Sequence, residues 1–122
     1  MTILLIAEHD NATLSDQTNK ALSAAKEMGG EIHGLDLSDD DGTLFVSGKG
    51  DDKIAAIDLS SGKAKFAALA PAPYHLTTIA GTNSLYVSSR EEPKVWIVDQ
   101  ENLAVTGEIA VSGEGHEMVV LP

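Results

Sequence analysis

A pattern that returns after 41 residues constrains this chain more than anything else in it. Leu44-Phe45-Val46-Ser47 comes back as Leu85-Tyr86-Val87-Ser88, and Ile54-Ala55-Ala56-Ile57-Asp58 comes back as Val95-Trp96-Ile97-Val98-Asp99. His75 and His116 stand at the same offset. Within each unit, short runs rich in β-branched and apolar residues alternate with polar turns. Leu44 to Ser47, Lys53 to Leu59 and Ala64 to Leu69 are strands. Gly48 to Asp52 and Ser60 to Lys63 carry Gly, Asp and Ser and turn the chain. A further strand leads into each unit, Leu35 to Ser38 in the first and Leu76 to Ala80 in the second.

Connections this short make neighbouring strands antiparallel. A repeat of about 40 to 45 residues built from four such strands is the signature of a propeller blade. The units run over residues 34–74 and 75–115, and His116 to Leu121 has the composition of the first strand of a third. Two blades leave apolar faces unburied, and propellers close with about four to eight. One expectation is therefore a homo-oligomer, a trimer supplying six blades, in which the last strand completes a blade of the next chain. The other is a meander curled around a helix.

Residues 1–33 have a different period. Ile3 to Ala7 is a continuous apolar run, the pattern of a buried strand. Leu14, Thr18, Ala21, Leu22, Ala25 and Met28 then fall on one helical stripe, ended by Gly29-Gly30. Glu31-Ile32-His33 leads into the next strand. The segment predicts a β-α-β unit with a right-handed crossover and parallel strands. The predicted class is α+β: one helix, then an antiparallel meander, nine to ten strands in all, folded as one unit.

Both parts resemble known families. LSDDDGTLFVS, KIAAIDLSSGK and the recurrent His ahead of the inner strand are similar to the YVTN-type seven-bladed propeller repeat. Asp39 replaces a Pro of that pattern, Ser61-Gly62 replaces Thr-Gly, and the second unit lacks the Asp-Gly turn. ILLIAEHDNATLSDQTNKALSAAKEMGGEIH resembles the N-terminus of the electron transfer flavoprotein alpha subunit through its AEHDNA loop and ALSAAK…GG-x-IH pattern. The two resemblances meet near His33-Gly34, which implies a chimera, recombined or engineered. In that flavoprotein family the FAD is held mainly by a C-terminal domain that this sequence does not match, so the resemblance implies no cofactor here.

Charge narrows the partners. The net charge is −11 and the 8 Lys and Arg are scattered, so a phosphate backbone is repelled and nucleic acid is not an expected partner. No apolar run reaches the roughly 18 residues of a membrane span, and the start lacks the basic region of a signal peptide. A cytoplasmic location is the default expectation. There is no cysteine, so disulfides and thiolate metal sites are excluded.

The remaining polar constellations read more simply as structure than as chemistry. Glu8-His9-Asp10-Asn11 follows a strand and precedes a helix, where α/β folds place ligands, but carries no Gly-x-Gly-x-x-Gly. Asp39-Asp40-Asp41 with nearby Asp36 offers oxygen ligands yet fails the EF-hand spacing and reads as a turn. His9, His33, His75 and His116 are separated in sequence. His75 and His116 fall near the axis of a propeller, too few for a structural zinc site. Ser47, Ser88 and Ser89 lack a Gly-x-Ser-x-Gly context, and Asp58 and Asp99 end strands. Trp96 reads as core. No nucleophile, base and orienter assemble, so no catalytic, cofactor or metal residue is assigned and no enzyme is expected. The expectation is a structural, self-associating chain. Its alternatives are a flavin-binding electron-transfer module and a propeller-type protein-interaction module, the latter exposing Tyr74, Tyr86 or Trp96.

Overall fold

The computed structural model describes residues 23, 26–28 and 31–122. Eight strands follow one another: β1 (Ile32–Leu37), β2 (Thr43–Gly48), β3 (Lys53–Asp58), β4 (Ala64–Ala68), β5 (Pro73–Thr78), β6 (Ser84–Ser89), β7 (Lys94–Asp99) and β8 (Val105–Ala110). They form two four-stranded sheets, β1-β2-β3-β4 and β5-β6-β7-β8, in sequence order and antiparallel throughout. The arrangement follows from the connections. Within each sheet, turns of a few residues hold each strand beside its predecessor and leave no room for a parallel crossover.

The α+β expectation does not hold. Among the described residues the α-helical positions are Ser23, Lys26 and Glu27, with one 3₁₀ turn at Lys49–Asp51. β1, expected both as the second arm of a β-α-β unit and as the first strand of the blade, pairs antiparallel with β2 as a blade's first strand does. The expected strand at Ile3–Ala7 and the stripe from Leu14 to Ala25 lie outside the described residues. His116 to Leu121, counted as a strand, pairs in no ladder, so the described strands number eight. Alternation with period two and short polar turns dictate a meander. The stretch at 14–28 does not alter that class within residues 31–122.

Alternation sends Phe45, Ile54 and Ala56 to one face of the first blade, where they meet Leu76, Leu85, Val87, Trp96 and Val98 of the second. This inter-blade core is at most 7% exposed at any of these positions. Each large aliphatic or aromatic side chain so buried contributes about 1.5–3 kcal/mol. The opposite face of the first blade holds Val46, Ala55 and Ile57, and Met28 is packed there, fully buried.

The blades meet at their first strands, β1 and β5. Ser47 Oγ accepts the Gly34 N–H at 2.9 Å and donates to the Tyr74 carbonyl of β5. One buried hydroxyl thus satisfies a donor of its own blade and an acceptor of the next. The approach is close. A Cβ on Gly34 would stand 2.7 Å from the Tyr74 carbonyl oxygen and 2.8 Å from the Leu76 nitrogen, so only glycine fits. Three carboxylates add to the junction. Asp36 Oδ2 accepts from the Thr78 N–H at 2.7 Å and from its hydroxyl at 3.0 Å. Asp39 accepts the Gly81 N–H at 2.7 Å, and Asp52 the Ala72 N–H at 2.6 Å.

Ser47→Ala leaves a buried N–H and a buried carbonyl unpaired and is expected to lower stability by about 1–3 kcal/mol. Gly34→Ala, which forces the two first strands apart, costs a similar amount. Urea unfolding measures both through the midpoint, and the slope stays unchanged if only the junction is weakened.

Candidate functional site

The side chains brought together most densely lie where the first strands converge. Tyr74 is the hub. Its ring centroid stands 4.4 Å from that of His33, 4.6 Å from His75 and 5.2 Å from His116. His75 and His116 are 4.8 Å apart, and the Arg90 guanidinium lies 5.7 Å above the Tyr74 ring. His33 and Tyr74 are 41 positions apart, as are His75 and His116. The same step of the repeat therefore makes a ring pair twice, once between β1 and β5 and once between β5 and the segment after β8.

A second repetition lies beneath the rings. Ser88, fully buried, stands 41 residues after Ser47. Its Oγ accepts the His75 N–H at 3.2 Å, as Ser47 accepts that of Gly34, and its one proton faces two carbonyls, that of His75 at 3.3 Å and that of His116 at 3.2 Å. Gly115 passes so near that a Cβ there would stand 2.8 Å from Ser88 Cβ. Arg90 pairs with Glu114 at the rim. Residues 113–118 thus lie across one end of the second blade's free face.

The His75 imidazole is held below its ordinary proton affinity, first by partial burial, then by the neighbouring His116, with His33 adding and Glu117 opposing. Neutral imidazoles can exchange a proton or ligate a metal. Among the described residues, however, no three His, Cys or carboxylate side chains are arranged to hold a metal ion.

The other candidates are dispersed. Glu8 to Asn11, His9 included, lie outside the described residues. Asp36 and Asp39 serve the blade junction. Asp40 accepts from the Ser38 hydroxyl at 2.6 Å and the Gly42 N–H at 3.0 Å, and these bonds hold its carboxyl below the usual range. Asp58 caps its turn through the Ser60 hydroxyl and the Ser60 and Ser61 N–H groups, which take it down to about 2. Asp99 caps the equivalent turn through the Asn102 and Glu101 N–H groups. Ser89 donates to the Pro71 carbonyl at 2.8 Å. Trp96 is buried between the blades, while Tyr74 and Tyr86 are half-buried. Sequence reasoning placed the two serines only as non-catalytic. Their signal was a hydroxyl recurring at 41 residues inside an otherwise apolar strand.

No protein-family model matches the chain. A 35-residue stretch is 63% identical to the electron transfer flavoprotein subunit alpha of Bradyrhizobium diazoefficiens, covering 29% of this chain and 11% of that protein. In structure the chain is similar to Kuenenia stuttgartiensis hydrazine synthase, with TM-score 0.64 and 24% identity over 68% of this chain. It is similar to BamB from Moraxella catarrhalis, with TM-score 0.59 and 19% identity over 68% of this chain. It is similar to the Neurospora crassa Pan2 WD40 domain, with TM-score 0.57 and 15% identity over 69% of this chain. The chain spans 24%, 25% and 25% of those structures. At these identities the likeness is one of fold, and the fold is that of propeller blades. A flavoprotein-like stretch and propeller-type blades are thus joined in one chain.

In a histidine NMR titration the His75 midpoint is expected below the ordinary imidazole value of about 6.5. Replacing His116 by Ala is expected to raise it. Because folding lowers this proton affinity, the unfolded chain binds more protons in acid. The stability contributed by neutral His75 is present above about pH 6.5 and is lost as pH falls through the folded midpoint.

Proposed function

We propose that the chain is a non-catalytic protein-interaction module that docks a blade-like apolar surface onto the free face of its second blade. One observation carries the reading. Phe45, Ser47, Ile54 and Ala56 are the residues with which the first blade packs on the second. Their equivalents 41 positions on are Tyr86, Ser88, Val95 and Ile97. The second blade therefore repeats a surface that the first blade uses for docking. Tyr86 and Ile97 are only half-buried, and neighbouring Ile109 and Val111 are 40% and 37% exposed.

The surface that meets this pattern inside the chain, Leu76, Leu85, Val87 and Trp96, is buried in the inter-blade core, so the partner brings another aliphatic face with one aromatic, such as Tyr86, Val95 and Ile97. A second copy of the chain is the partner we favour. The equivalent face of its first blade carries Val46, Ala55 and Ile57 under Met28, so two copies meet through their second blades rather than closing a ring of three. The net charge of −11 opposes this contact and salt relieves the repulsion. Separate matches for the two parts of the chain favour a recombined origin.

Light scattering tests the reading. The expected result is concentration-dependent mass rising from 12.8 kDa toward twice that value, strengthened by salt. Ile97→Glu is expected to weaken the association at least about tenfold, or about 1.4 kcal/mol. Association untouched by Ile97→Glu places the contact elsewhere. Single-chain mass in both the wild type and Gly115→Val, whose residues 113–118 cannot seat beside Ser88, removes the reading. A flavin-binding reading has the 35-residue match in its favour. It predicts a yellow purified protein, and a colourless one ends it.

A further inference from the structure

We propose that His75 and His116 form an open binding site for a divalent transition-metal ion of the copper or zinc type, with the two imidazoles as its protein ligands and water as the rest. Their spacing carries the proposal. The ring centres stand 4.8 Å apart and the planes are tilted by 38°. A metal–nitrogen bond of about 2.0–2.1 Å puts each ring centre about 3.2 Å from the ion, so two imidazoles meeting at a near-tetrahedral angle have centres about 5 Å apart. The pair already has the separation that an ion between the rings requires. Aiming a nitrogen of each ring at that point takes rotation about χ2, a broad and soft torsion for histidine. The first blade has Gly34 at this place in the repeat and offers no imidazole there.

The surroundings hold the pair together. Ser88 Oγ accepts the His75 N–H and faces the His116 carbonyl, each at 3.2 Å. The Tyr74 ring meets both imidazoles edge-on, at 4.6 Å and 5.2 Å. Two ligands from separate stretches of chain thus stand together before an ion arrives, and less ordering opposes binding. His116 is exposed and His75 half-buried, so an ion can enter from solvent. The charges nearby suit a cation. The Glu117 carboxylate favours positive charge at His75, Glu114 offsets Arg90, and Glu31 lies 3.6 Å from His33. The net charge of −11 draws cations to the whole surface. Imidazole selects copper and zinc, whereas carboxylates suit magnesium and calcium. The carboxylates of Asp40, Asp58 and Asp99 are in any case engaged by turn N–H groups. With two protein ligands the site does not close around its ion, so uptake is reversible. A bound ion ties residues 113–118 to β5.

Calorimetric titration of the full chain with zinc chloride, near neutral pH in a buffer that does not bind metal, tests the site. One equivalent is expected to bind. His116→Ala and His75→Ala are each expected to weaken it at least about tenfold, and His33→Ala to bind as the wild type does. Electron paramagnetic resonance of the copper(II)-loaded chain counts the ligands directly. Coupling to two imidazole nitrogens is expected in the wild type and to one in His116→Ala, whose exposed position leaves the fold intact. No binding of zinc at millimolar concentration overturns the proposal. So does binding that survives His116→Ala, a loss as large in His33→Ala, or a wild-type copper spectrum with fewer than two nitrogens.

Discussion

A serine hydroxyl on the second strand of each blade, buried against the first strand, is the interaction on which the arrangement depends. Sheets can be held together by apolar faces alone, but such packing is tolerant of sliding and sets no register. Ser47 removes that freedom. Its oxygen has one donor and one acceptor to satisfy, Gly34 N–H and Tyr74 C=O, and only one relative placement of β1 and β5 satisfies both. A buried polar group left unpaired is costly, so the hydroxyl converts a greasy contact into a defined one. The glycine at 34 follows from it, as any side chain there would wedge the strands apart.

That constraint also explains why the rings converge. Once β1 and β5 are fixed in register, His33 and Tyr74 must face each other, and at the adjoining repeat position His116 meets His75. The cluster is a consequence of strand spacing before it is chemistry. His75 loses proton affinity chiefly because it is partly removed from water, and secondly because another imidazole stands beside it. The same logic applies to the acidic turns. Asp40, Asp58 and Asp99 favour ionisation because turn N–H or hydroxyl groups point at them. Their charge is spent on holding turns.

Much of the blade was legible in the sequence, because period-two alternation and Gly/Asp turns act locally. LFVS and LYVS announce β2 and β6, and KIAAID and KVWIVD announce β3 and β7. The helix-period stripe over Leu14 to Met28 pointed to a mixed class that residues 31–122 do not have. The short turn to Thr43 pairs Ile32–Leu37 with β2, as a blade's first strand requires. The site was less legible. His75 and His116 could be placed by the repeat. The meeting of His33 with Tyr74, and the double role of each serine, depend on how one blade sits on the next. Such contacts are separated by tens of residues and leave no local pattern beyond a recurring Ser.

The differences between the two units are as informative as their agreement. Asp36 and Asp39 tie the first blade to backbone N–H groups of the second, and Asp52 holds the Ala72 N–H in the connection that leads into it. The positions 41 residues on are Thr77, Ala80 and Pro93. None of these is a carboxylate, and two have no side-chain acceptor at all. The second blade keeps the apolar pattern and the serine of its docking face but lacks the three charged acceptors that fasten the first. Hydrogen bonds to ionised groups are roughly twice as strong as neutral ones. A blade docking there meets the same shape with weaker polar fastening. The junction inside the chain is therefore the permanent one. On the proposed docking, the face that repeats it at Tyr86, Ser88, Val95 and Ile97 makes the weaker contact.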